Sequence, residues 1–283
     1  MGAATLDAQA LAAWIGRSES RTDLVSERET LLLAATLDLP AAPAAGEAQP
    51  PLWHWTTFAP VGRAGETGAG GHPYRGGFMP PVPLPRRMWA GGRLAFHAPL
   101  RVGERATRHS SIADLKVKEG KTGTLVFVTV KHEISGPAGL AISEEQDVVY
   151  RAAAAPGDRP PAPPPAPSGA QWSDTLQADP VLLFRYSALT FNGHRIHYDL
   201  PYVREEEGYP GLLVHGPLIA TLLAGALARR TARPLKRFAF RGVSPLFDTA
   251  PFTLNGAIEG TQARLWAANA EGCLAMSAEV ELA

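Results

Sequence analysis

The chain has 283 residues, 45% of them hydrophobic and 19% charged, with 27 basic residues balancing 27 acidic ones. Zero net charge excludes a general nucleic-acid binder, which needs a basic excess to displace counterions. The single cysteine, Cys273, excludes an intrachain disulfide and a cysteine-rich zinc site, and its apolar neighbours predict a small core residue. No apolar run approaches the ~20 residues of a membrane span and the N-terminus lacks a signal-peptide layout, so a soluble cytoplasmic protein with no membrane contact is expected.

In chain order, the pattern predicts helices over residues 6–15 and 26–37, the second stopping before Pro40. A Pro/Gly-rich region over residues 40–85 follows, too long for an ordinary loop, and such loops are usually functional. It contains Trp53-His54-Trp55, expected as core or pocket lining. Strands are predicted over residues 93–97, 106–118, 123–135 and 141–150. Residues 152–167 hold seven prolines, which fix φ and cannot donate to a ladder, and read as an extended tether. The expected division is an N-terminal half over residues 1–151, a linker over 152–177 and a C-terminal half over 178–283.

Beyond the linker, a short strand over residues 181–186 leads into a polar loop. A helix from Pro217 to about Arg230 is apolar almost all round and should be buried. Strands over residues 238–243, 252–259, 264–268 and 274–282 complete the chain. The run from Arg93 to Leu100 also resembles that from Arg237 to Leu246, and each opens a series of strands, as a duplicated fold would produce. A buried helix inside a curved antiparallel sheet is the α+β hotdog architecture, here expected twice.

Chemistry concentrates in residues 185–199, RYSALTFNGHRIHYD, and in Val214-His215-Gly216-Pro217 at the start of the apolar helix. A histidine titrates near neutral pH and can both take and give a proton. A helix N-terminus carries free N–H groups and a positive dipole end, suited to an oxyanion. No other stretch of the chain has both parts.

These residues resemble the MaoC-like hydratases and dehydratases, hotdog proteins acting on acyl-CoA or acyl-carrier-protein thioesters. The family motif Asp-x-Asn-Pro-x-His, followed later by His-Gly before the central helix, is matched by His197 and by His215-Gly216. Asn192 stands at the aspartate position, and His194 and Arg195 replace Asn-Pro. The strings SALTFN, YPGLLVHGP (residues 209–217) and PLPRRMWAGG (residues 83–92) are similar to the subgroup of mesaconyl-CoA and itaconyl-CoA hydratases and mitochondrial-type 3-hydroxyacyl-thioester dehydratases. That subgroup carries an N-terminal hotdog half without the motif.

The resemblance implies a double-hotdog hydro-lyase that adds water reversibly to an α,β-unsaturated acyl thioester. It implies His197 as acid/base, Asn192 orienting the water and the Gly216 N–H as oxyanion donor. No cofactor is expected beyond the CoA or pantetheine of the substrate, no metal, and a homodimer. Asp199 either orients His197 or caps a loop. His194 and Arg195 face the substrate or solvent, and an arginine there would suit a dicarboxylate. His215 packs beside the helix start. Arg86 and Arg87, near Trp89, reach CoA phosphates, the far end of the substrate, or solvent. Glu205-Glu206-Glu207 reads as a solvated turn. The rival readings are a hotdog thioesterase and a non-catalytic thioester-binding module.

Overall fold

The computed structural model describes residues 6–120, 123–153 and 162–283. In chain order its main elements are α1 (Ala8–Ala12), β1 (Ser18–Leu24), α2 (Glu27–Thr36), β2 (Arg86–Phe96), β3 (Arg105–Gly120), β4 (Gly123–Gly136) and β5 (Gly139–Arg151). The second half contributes β6 (Trp172–Leu176), α3 (Pro180–Leu189), α4 (Leu200–Glu205), α5 (Gly216–Ala228), β7 (Leu235–Gly242), β8 (Phe252–Glu259), β9 (Gln262–Ala268) and β10 (Leu274–Leu282). Short 3₁₀ turns lie at Trp53–Thr56, Ala64–Glu66 and Arg195–His197.

All the strands form one antiparallel sheet in the order β1-β3-β4-β5-β2-β7-β10-β9-β8-β6. Read outward from the β2–β7 junction, both halves have the same order. The first strand of each half is the outer edge and the second strand meets its counterpart. At the junction Leu94 pairs with Phe238, Arg93 with Ala239 and Ala95 with Arg237. The sequence repeat aligns Arg93 with Arg237, Leu94 with Phe238 and Ala95 with Ala239, so a pseudo-two-fold axis passes through the Leu94–Phe238 pair.

Alternation sets the faces of the strands. On β4, Val126, Val128, Val130, His132 and Ile134 are all buried, at the two-residue period of a sheet with one core face. The C-terminal sheet curls over α5, which packs on β8, β9 and β10. Most of α5 is buried, with Leu218, Leu223 and Leu227 fully so. Each such leucine contributes about 1.5–3 kcal/mol of burial. In the N-terminal half, ten-residue α2 leans on α3 and the Trp53–Thr56 turn.

Three expectations change. Residues 181–186 lie in a helix, not a strand. Asp179 caps α3 by accepting from the Leu182 N–H at 2.7 Å, Pro180 occupies the first turn, and the buried residues Leu183, Tyr186 and Ser187 follow helical spacing. The stretch 152–177 ends in sheet: Pro165 bridges Cys273, and β6 pairs along β8. The proline-rich residues 154–161 of that stretch lie outside the described residues. Cys273 is half-buried in the turn before β10. Among the described residues no helix is long and apolar enough to cross a membrane.

Candidate active site

His197 closes the 3₁₀ turn Arg195–His197 and is buried. Its Nδ1 lies 2.8 Å from the Leu213 carbonyl oxygen. A carbonyl only accepts, so Nδ1 carries the proton and Nε2 presents a lone pair. Burial pushes the ring's pKa down to about 4, with the Leu213 hydrogen bond opposing, and the imidazole rests neutral.

The segment holding His197 is clamped from both sides. The Leu213 N–H donates to the Ile196 carbonyl at 2.9 Å, and the Val214 N–H to that of Leu246 at 2.9 Å. The next residue, His215, is the N-cap of α5, and its ring stacks on His197 at 3.6 Å between centroids and 16° between planes. His215 also bonds Ser187 Oγ through Nε2 at 2.8 Å. Burial lowers its pKa well below the ordinary histidine value.

Gly216 is the first residue of α5. Pro217 has no N–H, so the open donors of the first turn come from Gly216 and Leu218. A Cβ on Gly216 would stand 3.8 Å from the Trp89 carbonyl oxygen and 3.9 Å from Met276 Cε. Trp89 on β2 therefore borders the helix start. Its Nε1–H donates to the Gly91 carbonyl at 2.8 Å, and its ring packs edge-on against Trp55 at 5.0 Å.

The polar run resolves into parts. Asn192 Oδ1 accepts from the His194 N–H at 3.1 Å, building an Asx turn. Asp199 caps α4, accepting from the Tyr202 N–H at 3.1 Å, and pairs with Arg195 at 2.7 Å. Of its two expected roles, the structure places it at the cap. Arg195 stacks over Tyr202 at 4.2 Å and donates to the Ala69 carbonyl at 3.1 Å. Its guanidinium is engaged within the fold, where the sequence left substrate and solvent open.

Arg86 pairs with Glu207 at 3.4 Å and lies over Tyr209. Glu207 also accepts from the Tyr202 hydroxyl at 3.3 Å, so this end of the acidic triplet is a tie between the halves, not a free turn.

Sequence reasoning missed His72. The Pro/Gly-rich region folds back on itself, with Thr67 bridging Pro73, and docks on the loop that carries His197. The Arg195 N–H donates to the Gly70 carbonyl at 3.0 Å. Gly71 has φ +84°, and a Cβ there would lie 1.7 Å from the Gly193 carbonyl oxygen, so only glycine permits this approach. The docking brings His72 against His194, 4.0 Å between centroids, and His194 stands edge-on to His197 at 5.7 Å. Arg87 Nη2 donates to His72 Nδ1 at 2.9 Å. The signal was the glycine-dense string around His72, which marks close backbone approach.

Trp53-His54-Trp55 belongs to a separate buried cluster. Glu144 on β5 bonds His54 Nε2 at 3.0 Å, Trp55 Nε1 at 2.9 Å and Gln146 Nε2 at 2.8 Å. Burial alone would raise the Glu144 carboxyl, but the His54 bond and the neighbouring charges outweigh it and hold it at about 2. Among the described residues no group of three or more His, Cys, Asp or Glu is placed to hold a metal ion.

A family model described as hydroxyacyl-thioester dehydratase type 2 matches residues 52–248. The chain is 49% identical over 274 residues to the mesaconyl-C(4)-CoA hydratase of Chloroflexus aurantiacus, spanning 95% of this chain and 97% of that protein. It is 28% identical over 201 residues to the mitochondrial hydroxyacyl-thioester dehydratase type 2 of Schizosaccharomyces pombe, spanning 62% and 65% of the two chains. A solved MaoC-like dehydratase superposes with TM-score 0.72 at 16% identity, covering 96% of this chain and 99% of that one. A Mycobacterium tuberculosis protein described as a double hotdog superposes with TM-score 0.56 at 13% identity, covering 95% and 96%.

Proposed function

The chain belongs to the hydroxyacyl-thioester dehydratase type 2 family and is a double-hotdog hydro-lyase acting on acyl thioesters, and from that premise we propose that it hydrates a short unsaturated acyl-CoA of the mesaconyl type at His197. The observation that carries this reading is the His197 ring, fixed through Nδ1 and stacked on the residue that opens α5.

In the forward direction, the thioester carbonyl accepts from the Gly216 N–H. His197 Nε2 removes a proton from water as the water oxygen bonds to the β-carbon. The π electrons move through the α-carbon onto the thioester oxygen, and the helix start stabilises the resulting enolate. The buried imidazolium is a strong acid, so returning its proton to the α-carbon restores both the carbonyl and the neutral ring. Asn192 keeps its amide NH₂ side for the water. His215 supports His197 by stacking, and Trp89 borders the acyl path. The reaction needs no cofactor beyond the substrate's own pantetheine. A homodimer is part of this reading, supported by the exposed Leu31, Val181 and Phe184 on α2 and α3, and sedimentation at working concentration tests it.

The test is a panel of enoyl thioesters followed by loss of enone absorbance, with free thiol monitored in parallel. Hydration of mesaconyl-CoA without thiol release is expected. Thiol release with no hydration would establish the thioesterase instead. Tight acyl-CoA binding with neither product would establish the non-catalytic binding module.

A further inference from the structure

Four arginines border the catalytic loop, and three are satisfied within the fold. Arg195 pairs with Asp199, and Arg86 with Glu207. Arg75 donates to the carbonyls of Val82, Leu84 and Pro85. Arg87 differs: among the described residues it forms no ion pair with a carboxylate. Its hydrogen-bond partner is the neutral acceptor His72 Nδ1 at 2.9 Å.

That bond decides the tautomer. An arginine only donates, so His72 Nδ1 accepts and Nε2 carries the proton. The Nε2 atom is buried and has no hydrogen-bond partner. A buried donor left unpaired is destabilising, and of the unpartnered buried atoms this one lies beside an arginine without a carboxylate. The half-buried guanidinium and the orphan N–H sit behind His194, which in turn flanks His197. Together they lack an anion with acceptor oxygens.

We propose that Arg87, His72 and His194 recognise a free carboxylate on the unsaturated acyl group, so that the chain selects monothioesters of unsaturated dicarboxylic acids. The inference rests on the hydratase reading of His197. In a mesaconyl C4 thioester the free carboxylate is bonded to the β-carbon, the atom that receives water. It must then lie within about one side chain of His197, and His194, with His72 beyond it, is the ring pair at that distance.

Burial holds His194 down at about 3 and His72 lower still, so both rings are neutral donors near pH 7. Arg87 then supplies the positive charge, and a charge-assisted pair is roughly twice as strong as a neutral one. The division of labour follows the fold. The C-terminal half supplies the chemistry, while β2 and the docked hairpin of the N-terminal half supply selectivity.

The experiment compares kcat/KM for mesaconyl-C4-CoA with that for crotonyl-CoA, which has a methyl group at the position of the carboxylate and a hydrogen at that of the methyl. We expect Arg87→Met to lower the mesaconyl-to-crotonyl ratio about 100-fold, Arg87→Lys to lower it less, and His72→Phe about tenfold, as loss of hydrogen bonds to a charged group predicts. The ratio is internal to each preparation, so partial misfolding cancels. A proportional loss on both substrates in Arg87→Met would overturn the proposal. So would a wild-type enzyme that hydrates crotonyl-CoA and ignores mesaconyl-C4-CoA, and in that case the hydratase reading survives. Hydration of neither substrate, nor of any other enoyl thioester, removes the hydratase reading itself.

Discussion

The two halves share a strand order and a pseudo-two-fold axis through Leu94 and Phe238, yet each puts a histidine after its first main helix to opposite use. His54 lies in the 3₁₀ turn after α2 and His197 in the 3₁₀ turn after α3. His54 gives its Nε2 to the buried carboxylate of Glu144. His197 gives its Nδ1 to a backbone carbonyl and keeps Nε2 open. A histidine used in proton transfer needs one ring nitrogen to fix the tautomer and the other left for substrate. One used in the core has its outward nitrogen taken by a fixed partner. The register explains the partner: Leu94 pairs with Glu144 on β5, and Phe238 with Val280 on β10, so the repeat puts a carboxylate in one half where the other has a valine.

The sharpest way to break this comparison is to remove each histidine. His197→Ala should lower kcat by about 10²–10⁴, the usual worth of a positioned acid/base, with the thermal midpoint changed much less. His54→Ala should do the reverse. Removing the His54 donor leaves the buried Glu144 carboxylate short of a hydrogen bond, and the unfolding free energy should fall by about 1.5–3 kcal/mol, while the folded fraction turns over far faster than the His197 variant. Steady-state kinetics and urea unfolding of both variants decide this. Equal catalytic loss in the two would mean that the His54–Glu144 pair acts on the reaction through Trp55 and Trp89.

Much of the site was legible because its parts are local. His197, His215 and Gly216 fall in two short runs whose spacing reports a turn and a helix start. The strongly alternating strands β4 and β10 were legible for the same reason. What escaped was set by tertiary packing. The two missed strands, β1 and β6, are the sheet's edges. Their sequences, SESRTDL and WSDTL, are polar on an exposed side, as edge strands must be to avoid pairing with other chains. α3 carries apolar residues without a clean period, so its pattern does not distinguish a helix from a strand. His72 lies far from the motif in sequence and meets it only because Gly71 lets two backbones touch.

A pH series sharpens the comparison further, because both halves bury neutral histidines. Burial holds His197 and His132 at about 4 and His194 at about 3, against an ordinary value near 6.5. These folded values are depressed, so the unfolded chain binds more protons between about pH 6.5 and 4. Stability is therefore full above pH 6.5 and falls as pH drops through that window, by up to about 1.4 kcal/mol per pH unit for each group. Thermal midpoints from pH 7.5 to 4.5 check the sign. Over the range where the protein stays folded, kcat/KM should be flat through pH 6.5, since His197 is already neutral there. An inflection at 6.5 would show that His197 is open to solvent.

The smallest effect concerns Asn192, which stands at the aspartate position of the MaoC-like motif that the sequence resembles. Its Oδ1 holds the Asx turn through the His194 N–H, and in the proposed mechanism its NH₂ side holds the water. Asn192→Ala removes both functions. It should lower the unfolding free energy by about 1 kcal/mol and kcat about tenfold, each the worth of one hydrogen bond. Asn192→Asp separates them: the carboxylate still accepts from His194, so stability returns, but it cannot donate to the water. It also places a negative charge near His197, which favours the protonated ring and raises its pKa. The aspartate variant should therefore regain the midpoint without regaining kcat, with its rate profile displaced toward higher pH. Full recovery of kcat would reduce Asn192 to a turn residue, and the water would then be held by His197 alone.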